Sequence, residues 1–209
     1  MAGERKFEEE AARWDEKPQR VQAARDIADA IIKTVKPQKN MTAFELGCGT
    51  GTAAVFLAPS LKHITASDSS PAMLTELKKK IENDSISNIS PLLLDMSSGG
   101  TVNGRFDLIY SSLVFHHIKD PSVILAKLHS MLNPDGIIAI ADLDSEDGSF
   151  HMNDDIIEHR GFDRNHFTQM LEKASFHDVK CTTACSLERF NDDGSKRGDF
   201  PVFLFTAKF

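Results

Sequence analysis

The stretch FELGCGTGT, Phe44 to Thr52, decides how the chain folds. Its glycines stand at 47, 49 and 51. A short apolar run, MTAFEL (41–46), precedes them, and a helical pattern opens at Thr52. Strand, tight glycine turn and helix together make the opening unit of an α/β sheet. The spacing is close to the dinucleotide fingerprint G-x-G-x-x-G, but the third glycine comes one residue early, and Thr52 stands in its place. Glu45 lies just before the loop. A carboxylate there would repel a pyrophosphate, whereas it suits a ligand carrying an ammonium or a sulfonium.

Outward from the loop, strands and helices alternate. HITAS (63–67) reads as a second strand. Ser70 then caps a helix that starts with Pro71 and runs through MLTELKKKIEN. ISPLLLD (89–95) and FDLIYSS (106–112) read as strands, and Pro121 to Leu132 as an amphipathic helix. The turn cluster Asn133-Pro134-Asp135-Gly136 leads into the strand GIIAIADL (136–143). Residues 144–162 are polar and irregular, and Asp163 caps one more helix. VKCTTACSLERF (179–190) and FPVFLFTAKF (200–209) are joined by a short turn, which makes them antiparallel neighbours. Upstream of the loop, residues 7–35 carry a helical pattern broken at Pro18. Its second part shows a stripe of Val21, Ala24, Ile27, Ala28, Ile31 and Ile32, ended by Pro37.

A chain of 209 residues can bury a sizeable core in one domain. Its 24 Lys+Arg against 31 Asp+Glu give a net charge of −7, a poor match to nucleic acid or an anionic membrane. Three cysteines make no disulfide framework. The opening MAGERKFEEEAARWDEKPQR has no apolar centre, which speaks against a signal peptide, and no run is long enough for a membrane span. The expectation is a cytoplasmic protein with no membrane span and no nucleic-acid partner. Nothing in the sequence points to an oligomeric state.

Ligands of α/β sheets bind beyond the carboxyl ends of the strands. Glu45 and the glycine loop stand at the first such end, and Asp68 at the second, where an acid can accept from both ribose hydroxyls. Asp95 and Met96 follow the third strand, and Ser111 to His117 close the fourth. Taken in order, ELGCGTG, ASDSSPAML, LLLDMSS, FDLIYSSLVFHHI and LNPDGIIAIADL resemble the class I S-adenosylmethionine-dependent methyltransferases. They are most similar to the small-molecule branch that includes the ubiquinone and menaquinone biosynthesis enzymes, and FEEEAARWDEKP resembles that branch's N-terminal lid helix.

The resemblance implies a Rossmann-like, seven-stranded, mostly parallel sheet with an antiparallel last strand and helices on both faces. Residues 1–36 would form a helical lid and 37–209 the methyltransferase domain. It implies S-adenosyl-L-methionine as cofactor and a small molecule as methyl acceptor. Glu45 and the loop of Gly47, Cys48, Gly49, Gly51 and Thr52 would hold its methionine part. Asp68 would take the ribose with Ser69 and Met73 beside it, Asp95 and Met96 the adenine, and Ser111 would line the floor. Trp14 and Asp144 are the lid and substrate-side candidates.

Some residues read two ways. Cys48 also reads as a small buried filler. His116 and His117 are the candidate bases, since histidine titrates near neutrality and an alcohol, phenol or ammonium acceptor must lose a proton. Adjacent residues diverge, so only one of the pair is expected at the site. Asp142, Asp144, Glu146 and Asp147 read as an acidic mouth rather than a metal centre. Cys181 and Cys185, four apart in a strand, are expected on one face of the sheet. The acceptor readings left open are a protein side chain and a non-catalytic cofactor-binding regulator, with a nicotinamide-dependent oxidoreductase behind them. Enzymes acting on base amino groups resemble one another in an Asn/Asp-Pro-Pro-aromatic stretch, and this chain has Tyr110-Ser111-Ser112-Leu113 there.

Overall fold

The computed structural model describes residues 7–151, 157–191 and 193–209. Among these, seven strands form one sheet: β1 Thr42–Leu46, β2 His63–Asp68, β3 Ile89–Leu93, β4 Phe106–Ser112, β5 Leu132–Leu143, β6 His177–Phe190 and β7 Lys196–Lys208. Their order is β3-β2-β1-β4-β5-β7-β6. Strands β1 to β5 pair in parallel, and β7 lies antiparallel between β5 and β6. The order reverses between β1 and β4, which opens a crevice beyond their carboxyl ends.

Side chains on each strand alternate between two cores. Ala43, Ile64, Tyr110, Ala139, Val202 and Leu204 pack under α1 (Pro18–Val35), α2 (Thr52–Leu57) and α3 (Pro71–Asn83). Phe44, Ile109, Ile138, Phe203 and Phe205 face α4 (Pro121–Ser130) and α5 (Arg164–Lys173). A buried face on both sides is what continuous apolar strands require. On α1 the fully buried residues are Ile27, Ala28 and Ile31, a helical spacing. Removing either isoleucine side chain should cost roughly 2–5 kcal/mol.

The helix starts follow local chemistry. Pro18 opens α1 because the preceding Lys17 is extended, and Phe7 to Glu16 are left as a separate helical segment ending in a 3-10 stretch, Ala11–Glu16. Ser70 Oγ accepts from Met73 N at 3.1 Å, and Asp163 Oδ1 from His166 N at 2.8 Å, each cap worth about 1 kcal/mol.

Two expectations are corrected. Strand β5 begins at Leu132, not at Gly136: Leu132 pairs with Phe106, the register shifts before Leu108 pairs with Ile137, and the polar cluster is absorbed as an irregularity. Cys181 and Cys185 lie on opposite faces, because a bulge between Thr183 and Cys185 breaks the alternation. Cys185 packs with the α1 side, and Cys181 lies beside Arg164 of α5. Among the described residues, no helix is long and apolar enough to cross a membrane.

Candidate active site

The glycines of the opening loop are placed by packing. A Cβ on Gly47 would meet Val114 Cγ2 at 2.4 Å, and one on Gly51 would meet Leu77 Cδ1 of α3 at 2.2 Å. Gly51 also takes φ 76° at the start of α2. The close helix approach therefore falls one residue earlier than in the dinucleotide loop, and Thr52 is free to carry a side chain. Its Oγ1 accepts from Lys80 Nζ at 2.8 Å.

Beyond β1 and β4 lies a cavity of about 550 Å³, within the range of small-molecule sites. Glu45, Gly47, Cys48, Gly49, Thr52, Asp68, Ser69, Met73, Asp95 and Met96 all line it. Glu45 is buried and stands in register with Tyr110, whose hydroxyl donates to its carboxylate at 3.1 Å. Burial pushes the Glu45 pKa from 4.5 up to about 8; the Tyr110 bond opposes this and the charge of Asp68 adds to it. Asp68 accepts from Gly49 N at 2.7 Å and Ser70 N at 2.9 Å, so it ties the glycine loop to the α3 cap. Burial raises its pKa against those backbone bonds. Asp95 turns its carboxylate to Ser97 and Ser98, whose backbone N–H groups it accepts at 2.8 and 3.1 Å.

Three expected residues sit elsewhere. Ser111 and Gly51 lie one layer below the lining: the serine hydroxyl donates to Leu46 O at 3.0 Å and pins β4 to β1. Asp144 does not line the cavity, because its carboxylate is gripped by both arms of Arg164 at 2.7 Å.

The histidine expectation is also corrected. His116 and His117 both line the cavity, with ring centroids 4.0 Å apart. They lie in a tight 3-10 turn, Phe115–His117, so divergence along the backbone does not separate their rings. His116 is 2% exposed, and its Nδ1 lies 2.7 Å from Asp142 Oδ1. Asp142 also accepts from the backbone N–H groups of His116 and Leu143. Burial alone would raise the Asp142 pKa, but the His116 ring and these bonds more than offset it and hold the pKa low. On its other side, His116 Nε2 meets His151 Nε2 at 3.2 Å. Asp142, expected in an acidic mouth, is instead fully buried as the partner of His116. Its signal was an acid at the end of an otherwise apolar strand, since a buried charge needs a partner.

The N-terminal segment borders the cavity with Phe7, Trp14 and Asp15. Phe7 packs against Trp14 (centroids 5.7 Å apart) and edge-on to His117 (5.5 Å). Asp15 binds Lys80 Nζ at 2.7 Å and Thr50 Oγ1 at 2.9 Å, and Ser70 Oγ donates to Glu8 at 2.6 Å. These anchors were not foreseen either, because their two halves lie far apart in sequence.

A family model described as a methyltransferase domain matches residues 19–180. The chain belongs to that family. Its cofactor is S-adenosyl-L-methionine, and the nicotinamide oxidoreductase reading is set aside. An uncharacterized methyltransferase of Mycobacterium tuberculosis is 28% identical over 112 residues, covering 54% of this chain and 55% of that protein. The matched region thus spans about half the length of such curated relatives. Among solved structures, a chain from the complex between the Haloferax volcanii Trm112 methyltransferase activator and a methyltransferase has a TM-score of 0.78 at 18% identity, covering 97% of this methyltransferase and 96% of that chain. Phosphoethanolamine N-methyltransferase 2 of Haemonchus contortus, in complex with phosphomonomethylethanolamine and S-adenosylhomocysteine, has a TM-score of 0.70 at 15% identity, covering 87% of this chain and 52% of that one.

The cavity residues fit that cofactor. Among the described residues, no cation pairs with the buried Glu45, whose pKa reaches about 8, and an ammonium would supply one. Gly49 leaves open space where a Cβ would stand, so the backbone can be approached closely.

Proposed function

We propose that the protein methylates a small-molecule acceptor, as does the branch it resembles, with the acceptor held between the N-terminal segment and the histidine turn. On this reading Glu45 and the glycine loop hold the amino-acid end of the cofactor, Asp68 and Ser69 its ribose, and Met73, Asp95 and Met96 border the adenine. The cofactor supplies a sulfonium methyl already activated for displacement, so the protein's own work is orientation and exclusion of water. Phe7, Trp14 and the Asp15–Lys80 anchor perform the exclusion.

His116 takes the proton from the acceptor at Nε2, where the acceptor replaces His151 as its partner. Its Nδ1 is committed to Asp142, which leaves Nε2 as the basic nitrogen when the ring is neutral. The observation that carries the reading is this buried Asp142–His116 pair, set in the wall of a cavity that Trp14 also lines. A cavity of about 550 Å³, bordered by Phe7 and Trp14, has the size of a small-molecule site. The experiment is turnover at saturating cofactor for His116→Ala and His117→Ala. His116→Ala is expected to lose 10²- to 10⁴-fold, the span of general-base catalysis, with S-adenosylhomocysteine affinity unchanged. Full activity in both variants removes histidine from the chemistry.

A further inference from the structure

The cavity has a cationic rim that the cofactor does not account for. Arg189, on β6, lines it and lays its guanidinium over the Phe150 ring at 3.9 Å. Among the described residues, no carboxylate and no hydrogen-bond acceptor engages that guanidinium. The other arginines nearby are satisfied: Arg20 binds Glu10 at 2.7 Å, and Arg197 donates to Asn191 Oδ1 at 2.9 Å and to two backbone carbonyls. The rim's acids are satisfied too. Glu188 is held by Lys196 and Asp15 by Lys80, each at 2.7 Å, and Asp26 accepts from Gln22 at 2.8 Å. Burial, with the like charges of Arg20 and Arg197 close by, lowers the Arg189 pKa.

We propose that Arg189 makes the acceptor end of this cavity a site for an anionic small molecule, one carrying a carboxylate or a phosphate. The inference rests on the small-molecule reading above. A guanidinium offers a planar fork of donors that matches either anion in a two-pronged bond. Among the described residues this half-buried cation rests on an aromatic ring without an anion, which is costly, and a bound anion removes that cost. The placement is also directional. Phe150 stacks edge-on against His151 with centroids 4.5 Å apart, and His151 reaches His116 at 3.2 Å. Arg189 and the candidate base therefore stand on one wall with an aromatic stretch between them. The acceptor that fits has an acidic group at one end, an apolar middle, and the methylated atom at the other.

The test is calorimetry on the full chain saturated with S-adenosylhomocysteine. The probes are benzoate and phenyl phosphate, with benzamide and benzyl alcohol as their uncharged counterparts. At least one acid is expected to bind tenfold or more tightly than its counterpart, and the stronger of the two says which anion the site prefers. Arg189→Gln should abolish the preference and Arg189→Lys should keep part of it, both with unchanged S-adenosylhomocysteine affinity. Equal binding of acids and counterparts, no binding of either acid, or a preference that survives Arg189→Gln overturns the inference. Failure to bind S-adenosylhomocysteine at all would instead bring down the reading on which it rests.

Discussion

His116 Nδ1 lies 2.7 Å from Asp142 Oδ1, and neither side chain is more than 2% exposed. The pair fixes which ring nitrogen is left as the base. Asp142→Asn should therefore lower kcat while leaving S-adenosylhomocysteine affinity alone, and Asp142→Glu should keep part of the rate. A loss of cofactor affinity in step with the rate would make Asp142 merely structural. Its pKa is held below the ordinary 3.8, so the stability it contributes is present above that value and lost as pH falls through the folded value.

Glu45 gives the opposite sign. Its folded pKa of about 8 exceeds the ordinary 4.5, so the ligand-free protein holds a proton that the unfolded chain releases. Stability from this group is fully present below pH 4.5 and lost as pH rises through 8. Thermal unfolding of the ligand-free protein should fall by an amount on the order of a few kcal/mol between pH 5 and pH 8.5, and Glu45→Gln should flatten the curve. S-adenosylhomocysteine should bind more tightly at pH 8 than at pH 6, since its ammonium favours the ionised carboxylate. Affinity independent of pH in this window would deny Glu45 its contact with the cofactor.

Gly51→Ala should destabilise the fold by roughly 1–3 kcal/mol, from a positive φ and an added carbon against Leu77. Combining it with Leu77→Ala tests the cause by chemical denaturation. If the clash matters, the double variant loses less than the sum of the singles; simple additivity would leave the backbone angle as the whole effect.

Trp14 is the single tryptophan of the chain, lies under Arg20 at 3.6 Å and lines the cavity. Its fluorescence should change on adding S-adenosylhomocysteine. Asp15→Asn removes the ion pair to Lys80, which is about a third exposed and worth no more than about 1 kcal/mol. The variant should shift the midpoint of that titration up to about fivefold. An unchanged signal and midpoint would mean that the N-terminal segment does not cover the cofactor.

Much of this was legible in the sequence because it follows local rules. The glycine spacing, the Ser70 and Asp163 caps and the alternation of apolar runs each act within a few residues, and they place β1 to β4 within a residue or two. The start of β5 was not legible, since Asn133 to Gly136 has turn chemistry and only pairing with β4 carries it into the sheet. The same holds for Cys185, whose face is set by a bulge against β7. At the site, Glu45 and Asp68 could be read from their position after strands. The pairing of Asp142 with His116 and the placement of Arg189 could not, because both depend on what the fold brings beside them.

The measurement that tests the central claim most directly uses S-adenosylmethionine labelled on its methyl group, incubated with the protein and a cell extract separated by size. The account predicts label in the low-mass fraction, lost in His116→Ala and competed by S-adenosylhomocysteine. Label confined to protein or nucleic acid, or none transferred despite cofactor binding, would contradict it.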